Sequence, residues 1–307
     1  MPLVSTNGLS LEVEVLSPPD GAAPDAASHV PVLLIMGLGM QLTAWPDAFV
    51  ESLLARGHTV VRFDNRDIGL STKLAAWGRP RLLLATLRHT LGLRVRAAYT
   101  LDDMAADTAG MLDALAIRRV HVVGVSMGGM IGQILAARFP GRVASFTCIM
   151  SSSGARGLPG PTRAARRALL SRPRNPHDVD SIIDHYVKVF GVIGSPAFPS
   201  SVHMMREHYG RGVTRSHHPL GSVRQLMAIV ASGDRSKLLA SIKAPTTIIH
   251  GSADPLVPVA AAHDLARKIP HAHLRVIEGM GHDLPPGVLP MLLETIEQTI
   301  GRATAAA

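Results

Sequence analysis

Short strand-like apolar runs recur along this chain at Val32 to Met36, Thr59 to Phe63, Val120 to Gly124, Val143 to Met150 and Thr246 to His250. They do not alternate apolar with polar residues, so they read as strands buried on both faces. Between them stand helix-period stretches from Trp45 to Arg56, Leu101 to Ile117, Met127 to Phe139 and Val259 to Ile269. A last strand, His273 to Ile277, and a last helix from about Val288 to Ile300 complete the series. Parallel strands need a long crossover, usually a helix, so this alternation predicts a mostly parallel sheet covered by helices on both faces.

Two segments depart from the alternation. Leu3 to Leu16 alternates around Asn7-Gly8, a pair suited to positive φ, and predicts an opening β-hairpin followed by a linker from Ser17 to Ser28. From Ser151 to about Asp234 the chain is Pro/Gly-punctuated and helix-leaning, with no comparable strand. The expectation is one core built from residues 1–150 and 235–307, interrupted after the sixth strand by a helical lid over residues 151–234.

Composition narrows the function class. With 47% hydrophobic and 18% charged residues, the chain is not a disordered, solvating polymer. Its longest apolar stretches are too short to span a bilayer, which argues against stable membrane insertion. The formal charge of +8 invites a nucleic-acid reading until its position is considered. Six basic and no acidic residues lie between Lys73 and Arg96, and ten basic against four acidic between Gly154 and Arg215. The remainder is mildly acidic, and with only 4% aromatic residues and no binding motif no nucleic-acid partner is expected. Cys148, the single cysteine, cannot form an internal disulfide and reads as a small buried hydrophobe. The N-terminus has no basic stretch followed by an apolar one, so a cytoplasmic location is the expectation.

Chemistry concentrates at Gly124-Val125-Ser126-Met127-Gly128, a G-x-S-x-G pattern with an apolar run before it and a helical period after it. Such a pattern can arise by chance, but this context is the one a strained strand-to-helix turn requires. Side chains two residues either side of the serine would collide in that turn. A serine hydroxyl needs a base to take its proton and an acid to orient the base. Asp254, in His250-Gly251-Ser252-Ala253-Asp254-Pro255, follows one strand, and His282, in Gly279-Met280-Gly281-His282-Asp283, follows the last. Both therefore stand at carboxyl ends of strands, where open α/β sheets place their sites.

These motifs, with Ile35-Met36-Gly37-Leu38-Gly39 and Phe63-Asp64-Asn65-Arg66-Asp67-Ile68-Gly69-Leu70-Ser71, resemble the α/β-hydrolase family from about Leu11 to Ile300. Trp45-Pro46-Asp47, and Arg66-Asp67 where many relatives carry Arg-Gly, are similar to ester hydrolases related to aclacinomycin methylesterase. The resemblance implies the α/β-hydrolase fold and a cofactor-free serine esterase, with Ser126 as nucleophile, Asp254 as orienting acid and His282 as base. It implies a small-molecule ester as substrate. It also implies an oxyanion hole from the backbone N–H groups of Met127 and Leu38, with Gly37 as the alternative to Leu38, because Met36-Gly37 stands where many relatives have His-Gly. A perhydrolase or haloperoxidase-like enzyme, or a lactonase, remains open on the same triad, as does a non-catalytic ligand-binding protein on the same scaffold. A homodimer is left open.

Other candidates have plainer readings. Asp283 adjoins His282, and neighbours in sequence rarely address the same partner, so a structural role is expected. Asp64, Arg66 and Asp67 read as a loop-fixing ion-pair network, and Asp103 and Asp107 as a solvated helix face. The fifteen histidines, including His217-His218 and His271-Ala272-His273, show no ligand spacing, so no metal and no cofactor is expected. Leu82 to Leu93, with Arg81, Arg88, Arg94 and Arg96, reads as a surface helix packing its leucines inward rather than onto an anionic lipid surface. Arg163, Arg166 and Arg167 read as a solvated face. Pocket-lining candidates are Gly37, Phe190, Ile193, Phe198, His203 and Met204.

Overall fold

The computed structural model describes residues 3–19, 30–78, 80, 85, 88, 91, 93 and 95–305. Most of the Ser17 to Ser28 linker and of the Leu82 to Leu93 stretch lies outside the described residues. The chain opens with β1 (Leu3–Thr6) and β2 (Leu9–Leu16), antiparallel, with Thr6 opposite Leu9. Asn7 (φ 49°) and Gly8 (φ 73°) supply the two positive-φ residues of the turn. There follow β3 (Val32–Ile35), α1 (Asp47–Ala55), β4 (Val60–Phe63), α2 (Leu101–Ala114), β5 (Val120–Val125), α3 (Met127–Arg138) and β6 (Val143–Ile149).

After β6 come α4 (Arg163–Leu170), α5 (Val179–Ile193), α6 (Val202–Arg215), α7 (Pro219–Ser232) and the short α8 (Ser236–Leu239), with no strand among the described residues. The alternation then resumes with β7 (Thr246–Gly251), α9 (Ala260–Lys268), β8 (His273–Ile277) and α10 (Leu289–Ala305). Eight strands form one sheet in the order β1-β2-β4-β3-β5-β6-β7-β8. The pairings from β4 through β8 are parallel, and only β1 with β2 and β2 with β4 are antiparallel.

The continuous apolar runs follow from this position, since every residue of β3, β5, β6 and β7 is buried. One face packs on Leu101, Met104 and Leu112 of α2, Ile131 and Ile134 of α3 and Leu265 of α9. The other packs on Phe49 and Leu53 of α1 and Leu292, Leu293 and Ile296 of α10. Trp45 stacks on Phe49 at 5.3 Å, sealing that layer.

The loop after β4 is fixed by ion pairs. Asp64 pairs with Arg215 at 2.6 Å and Asp67 with Arg224 at 2.7 Å, so two arginines from the inserted helices reach into the core. Arg66 makes a two-pronged pair with Asp107 at 2.6 Å. This corrects the solvated reading of Asp107, which is only 2% exposed because Arg66 crosses from β4's loop to meet it. Asp103 is exposed as expected and closes a capping box with Thr100 at the start of α2.

Candidate active site

Ser126 sits between β5 and α3 with φ 54° and ψ −115°, a conformation that side chains rarely adopt. The glycines two residues either side make it attainable. A Cβ on Gly124 would fall 2.4 Å from Gly128 O, and one on Gly128 would fall 2.0 Å from Ile35 O. The first turn of α3 is thus pressed onto β3, and the loop after β3 lies over the serine: a Cβ on Gly37 would be 3.3 Å from Ser126 Cβ.

The loops after β7 and β8 bring two further side chains to the same place. His282 Nε2 lies 3.1 Å from Ser126 Oγ, and His282 Nδ1 lies 2.7 Å from Asp254 Oδ2. His282 and Asp254 are buried, while Ser126 keeps partial access to solvent. Burial would raise the Asp254 carboxyl, but the His282 imidazole, the His250 ring and the Val257 amide outweigh it and hold the carboxyl well below the usual carboxylate range. An ionised carboxylate only accepts, so His282 Nδ1 carries the donated proton and Nε2 presents its lone pair to Ser126.

Supporting contacts hold each partner. Asp254 Oδ1 accepts from the Leu256 and Val257 amides, each at 2.9 Å. His250, wholly buried, donates from Nε2 to Val257 O at 2.7 Å and lies 3.5 Å from Asp254 Oδ2. The His282 amide donates to Ile193 O at 2.7 Å, tying that loop to the end of α5. Asp283 turns away from the imidazole and accepts from Ser195 Oγ at 2.5 Å, while Ser195 Oγ accepts from the Gly281 amide at 2.8 Å. Burial pushes the Asp283 carboxyl up to about 6. On the other side, Gln225 of α7 accepts from the Gly39 amide at 2.8 Å and donates to Arg66 O at 2.9 Å, bracing the loop after β3.

Met127 is the first residue of α3, so its N–H has no partner within the helix. Beyond Gly39 a cavity of about 40 Å³ opens among Met40, Ile68, Tyr186, Tyr209 and Val213. Tyr209 is the middle of an aromatic stack, 4.3 Å from Phe190 and 6.0 Å from Tyr186 between ring centroids.

Of the pocket candidates named from sequence, Gly37 lies against Ser126, and the other five fall in residues 190–204 of the inserted segment. Phe190 stacks on Tyr209, and Ile193 is buried at the contact of α4 with α5, its carbonyl accepting from the His282 amide. Phe198 packs against the core layer of α10 and Gly287. His203 and Met204 are exposed on the first turn of α6. The inward face of that helix is set by Tyr209 and Val213, and His203 and Met204 lie roughly 100° or more around the helix from it. Sequence reasoning missed His250, Ser195, Gln225, Arg215 and Arg224. Only His250 carried a signal, standing at the end of β7 four residues before Asp254.

Among the described residues, no group of three or more His, Cys, Asp or Glu is arranged to hold a metal ion.

Comparison with known proteins agrees with this architecture. Residues 30–190 match the family model described as alpha/beta hydrolase fold. A rhodomycin D methylesterase of Streptomyces sp. (strain C5) is 30% identical over 85% of this chain and 87% of its own length. A second rhodomycin D methylesterase, from Streptomyces peucetius, is 27% identical over 85% and 87%. Among solved structures, a meta-cleavage product hydrolase from Pseudomonas fluorescens IP01 superposes with TM-score 0.71 at 18% identity, covering 100% of this chain and 98% of that one. A sheet of this order, a serine held at positive φ between β5 and α3, and a family match over half the chain lead to one assignment: the chain belongs to the α/β-hydrolase family.

Proposed function

We propose that the chain hydrolyses carboxylic esters of small molecules through an acyl-enzyme on Ser126. One observation carries the reading: the hydrogen-bonded series Ser126–His282–Asp254, at 3.1 and 2.7 Å, on a strained strand-to-helix turn. In this reading His282 Nε2 takes the Ser126 proton as Oγ attacks the ester carbonyl. The charge that develops on the imidazole is balanced by ionised Asp254. The tetrahedral oxyanion is met by the N–H groups of Met127 and of Leu38 or Gly37, in the loop that covers the serine. His282 then returns the proton to the leaving alcohol. Water, deprotonated by the same ring, releases the acid.

Residues 151–234 act in this reading as a lid, and Tyr186 and Tyr209 line the space beside the site. The methylesterase names of the relatives support a carboxylic ester as the scissile group. Serine in place of aspartate at the nucleophile position supports ester over haloalkane or epoxide chemistry.

A panel of p-nitrophenyl esters of increasing acyl length tests the proposal. The wild type is expected to turn over a subset of them, and Ser126→Ala to lose on the order of 10⁴ to 10⁶ in kcat. A fluorophosphonate should label the wild type one-to-one at Ser126. Undiminished hydrolysis in Ser126→Ala, or folded wild type that takes no label, overturns the assignment.

A further inference from the structure

Helix α4 buries its small apolar residues and exposes its large ones. Ala165 and Ala168 pack against Val189, Phe190 and Ile193 of α5 and against Leu256. Leu169 and Leu170 stand in solvent at 43% and 68% exposure. On the helical repeat, Leu170 falls opposite the two alanines, in one stripe with Arg163, Arg166 and Arg167. With Arg172 and Arg174 just beyond the helix, five arginines occupy residues 163–174, with no acidic residue among them. All five are exposed and none has an ion-pair partner among the described residues. The arginines of α6 and α7 are instead matched: Arg206 with Asp180 and Asp184, Arg211 with Asp47, Arg215 with Asp64 and Arg224 with Asp67.

We infer that α4 is a docking surface for an anionic lipid membrane. Uncompensated arginines around an outward leucine match the two layers of such a surface. Guanidinium groups bind phosphate oxygens, their apolar stems lie along the headgroups, and Leu170 enters the acyl boundary. A nucleic acid would satisfy the arginines and leave both leucines in water. No described helix is long and apolar enough to cross a membrane, so the association is peripheral.

The location gives docking a use. Immediately before α4, the Thr162 amide donates to Pro255 O at 2.9 Å, next to Asp254, and α4 packs on the helix whose Ile193 carbonyl holds His282. A docked chain therefore keeps the Ser126 site one helix away from the lipid. This inference concerns binding alone and stands whether or not the hydrolytic reading does.

The test is co-sedimentation of the full chain with vesicles of phosphatidylcholine alone or with about one third phosphatidylglycerol, at about 0.05 M and about 0.5 M salt. Binding is expected to the anionic vesicles at low salt and to fall at least tenfold at high salt, by the rough scale of surface screening. Combined Arg163→Gln, Arg166→Gln and Arg167→Gln should weaken it on the order of 100-fold. Leu170→Ser should weaken it about tenfold. Arg118→Gln with Arg119→Gln, exposed arginines on another part of the surface, should change it by less than about twofold as a control for net charge. The circular dichroism and melting temperature of each variant establish that it is folded. Equal binding by wild type and the triple variant, or no wild-type binding to anionic vesicles at low salt, overturns the inference. Duplex DNA bound as tightly as the vesicles, with Leu170→Ser indifferent, overturns it in favour of a nucleic-acid surface.

Discussion

At the scale of single residues, the site depends on places where no side chain, or no other charge state, fits. A methyl group on Gly128 would meet Ile35 O at 2.0 Å and push α3 away from β3, displacing the serine from the loop that covers it. Gly128→Ala is expected to cost about 3 kcal/mol in urea unfolding and to lower ester turnover by more than its stability loss explains. Asp283 is the reverse case, a carboxyl whose burial favours the protonated form and raises it to about 6. The folded state then holds this proton more tightly than the unfolded chain, so its effect is absent near pH 4 and becomes a penalty as pH rises through about 6. Asp283→Asn keeps an acceptor for Ser195 Oγ and removes the penalty. Its stability should exceed wild type by about 1 to 3 kcal/mol at pH 7.5 and converge with it near pH 4, read from denaturant midpoints at both pH values. His250, buried with an unpartnered Nδ1, holds the Asp254 loop through Val257 O. His250→Phe is expected to lower kcat with KM little changed, since the ring touches the acid and not the substrate space. An unchanged kcat would remove that positioning role.

Elements meet each other in ways that only partly show in the chain. The strands from β3 to β8 were legible because burial on both faces writes itself as unbroken apolar runs, and the turn at Ser126 because its glycines are sterically obligatory. Asp254 and His282 were legible through their places after β7 and β8. The facing of α6 was not, because Tyr209 and Val213 are turned inward by α5 and the loop after β3, which no local spacing encodes. Nor was Asp107 legible: it sits one helical turn from solvated Asp103, and only the approach of Arg66 distinguishes them. The pairing of Arg224 in α7 with Asp67 after β4 spans 157 residues and left no trace in sequence. Burial would raise Asp67, but the Arg224 hydrogen bonds and the Leu74 amide outweigh it and hold the carboxyl below its ordinary value. That depression stabilises the fold above the unfolded carboxylate range and is lost as pH falls through it. Arg224→Met should cost about 3 to 5 kcal/mol at pH 7 by stranding the Asp67 charge, and less at pH 4, where the carboxyl can protonate. Urea midpoints at the two pH values give the comparison.

For the molecule as a whole, the net charge of +8 is not spread evenly in its consequences. The arginines of α6 and α7 are spent in ion pairs, with Asp180 and Asp184 of α5 and with Asp47, Asp64 and Asp67 outside the inserted segment, whereas those around α4 face solvent unpaired. The inserted helices are tied to the core around their whole perimeter, through Arg215 to Asp64, Arg224 to Asp67, Gln225 to Gly39, Thr162 to Pro255 and Ile193 to His282. Three of these ties end on the loops that carry Ser126's partners or cover it. To swing the helices away would break the contacts that hold the His282 loop and the loop over the serine, so under the proposed function an open segment would leave the site unassembled. The inserted segment is thus a roof with fixed eaves. Met40 and Tyr209 line the cavity beside Gly39, so under the proposed function selection among esters would rest on the width such side chains leave.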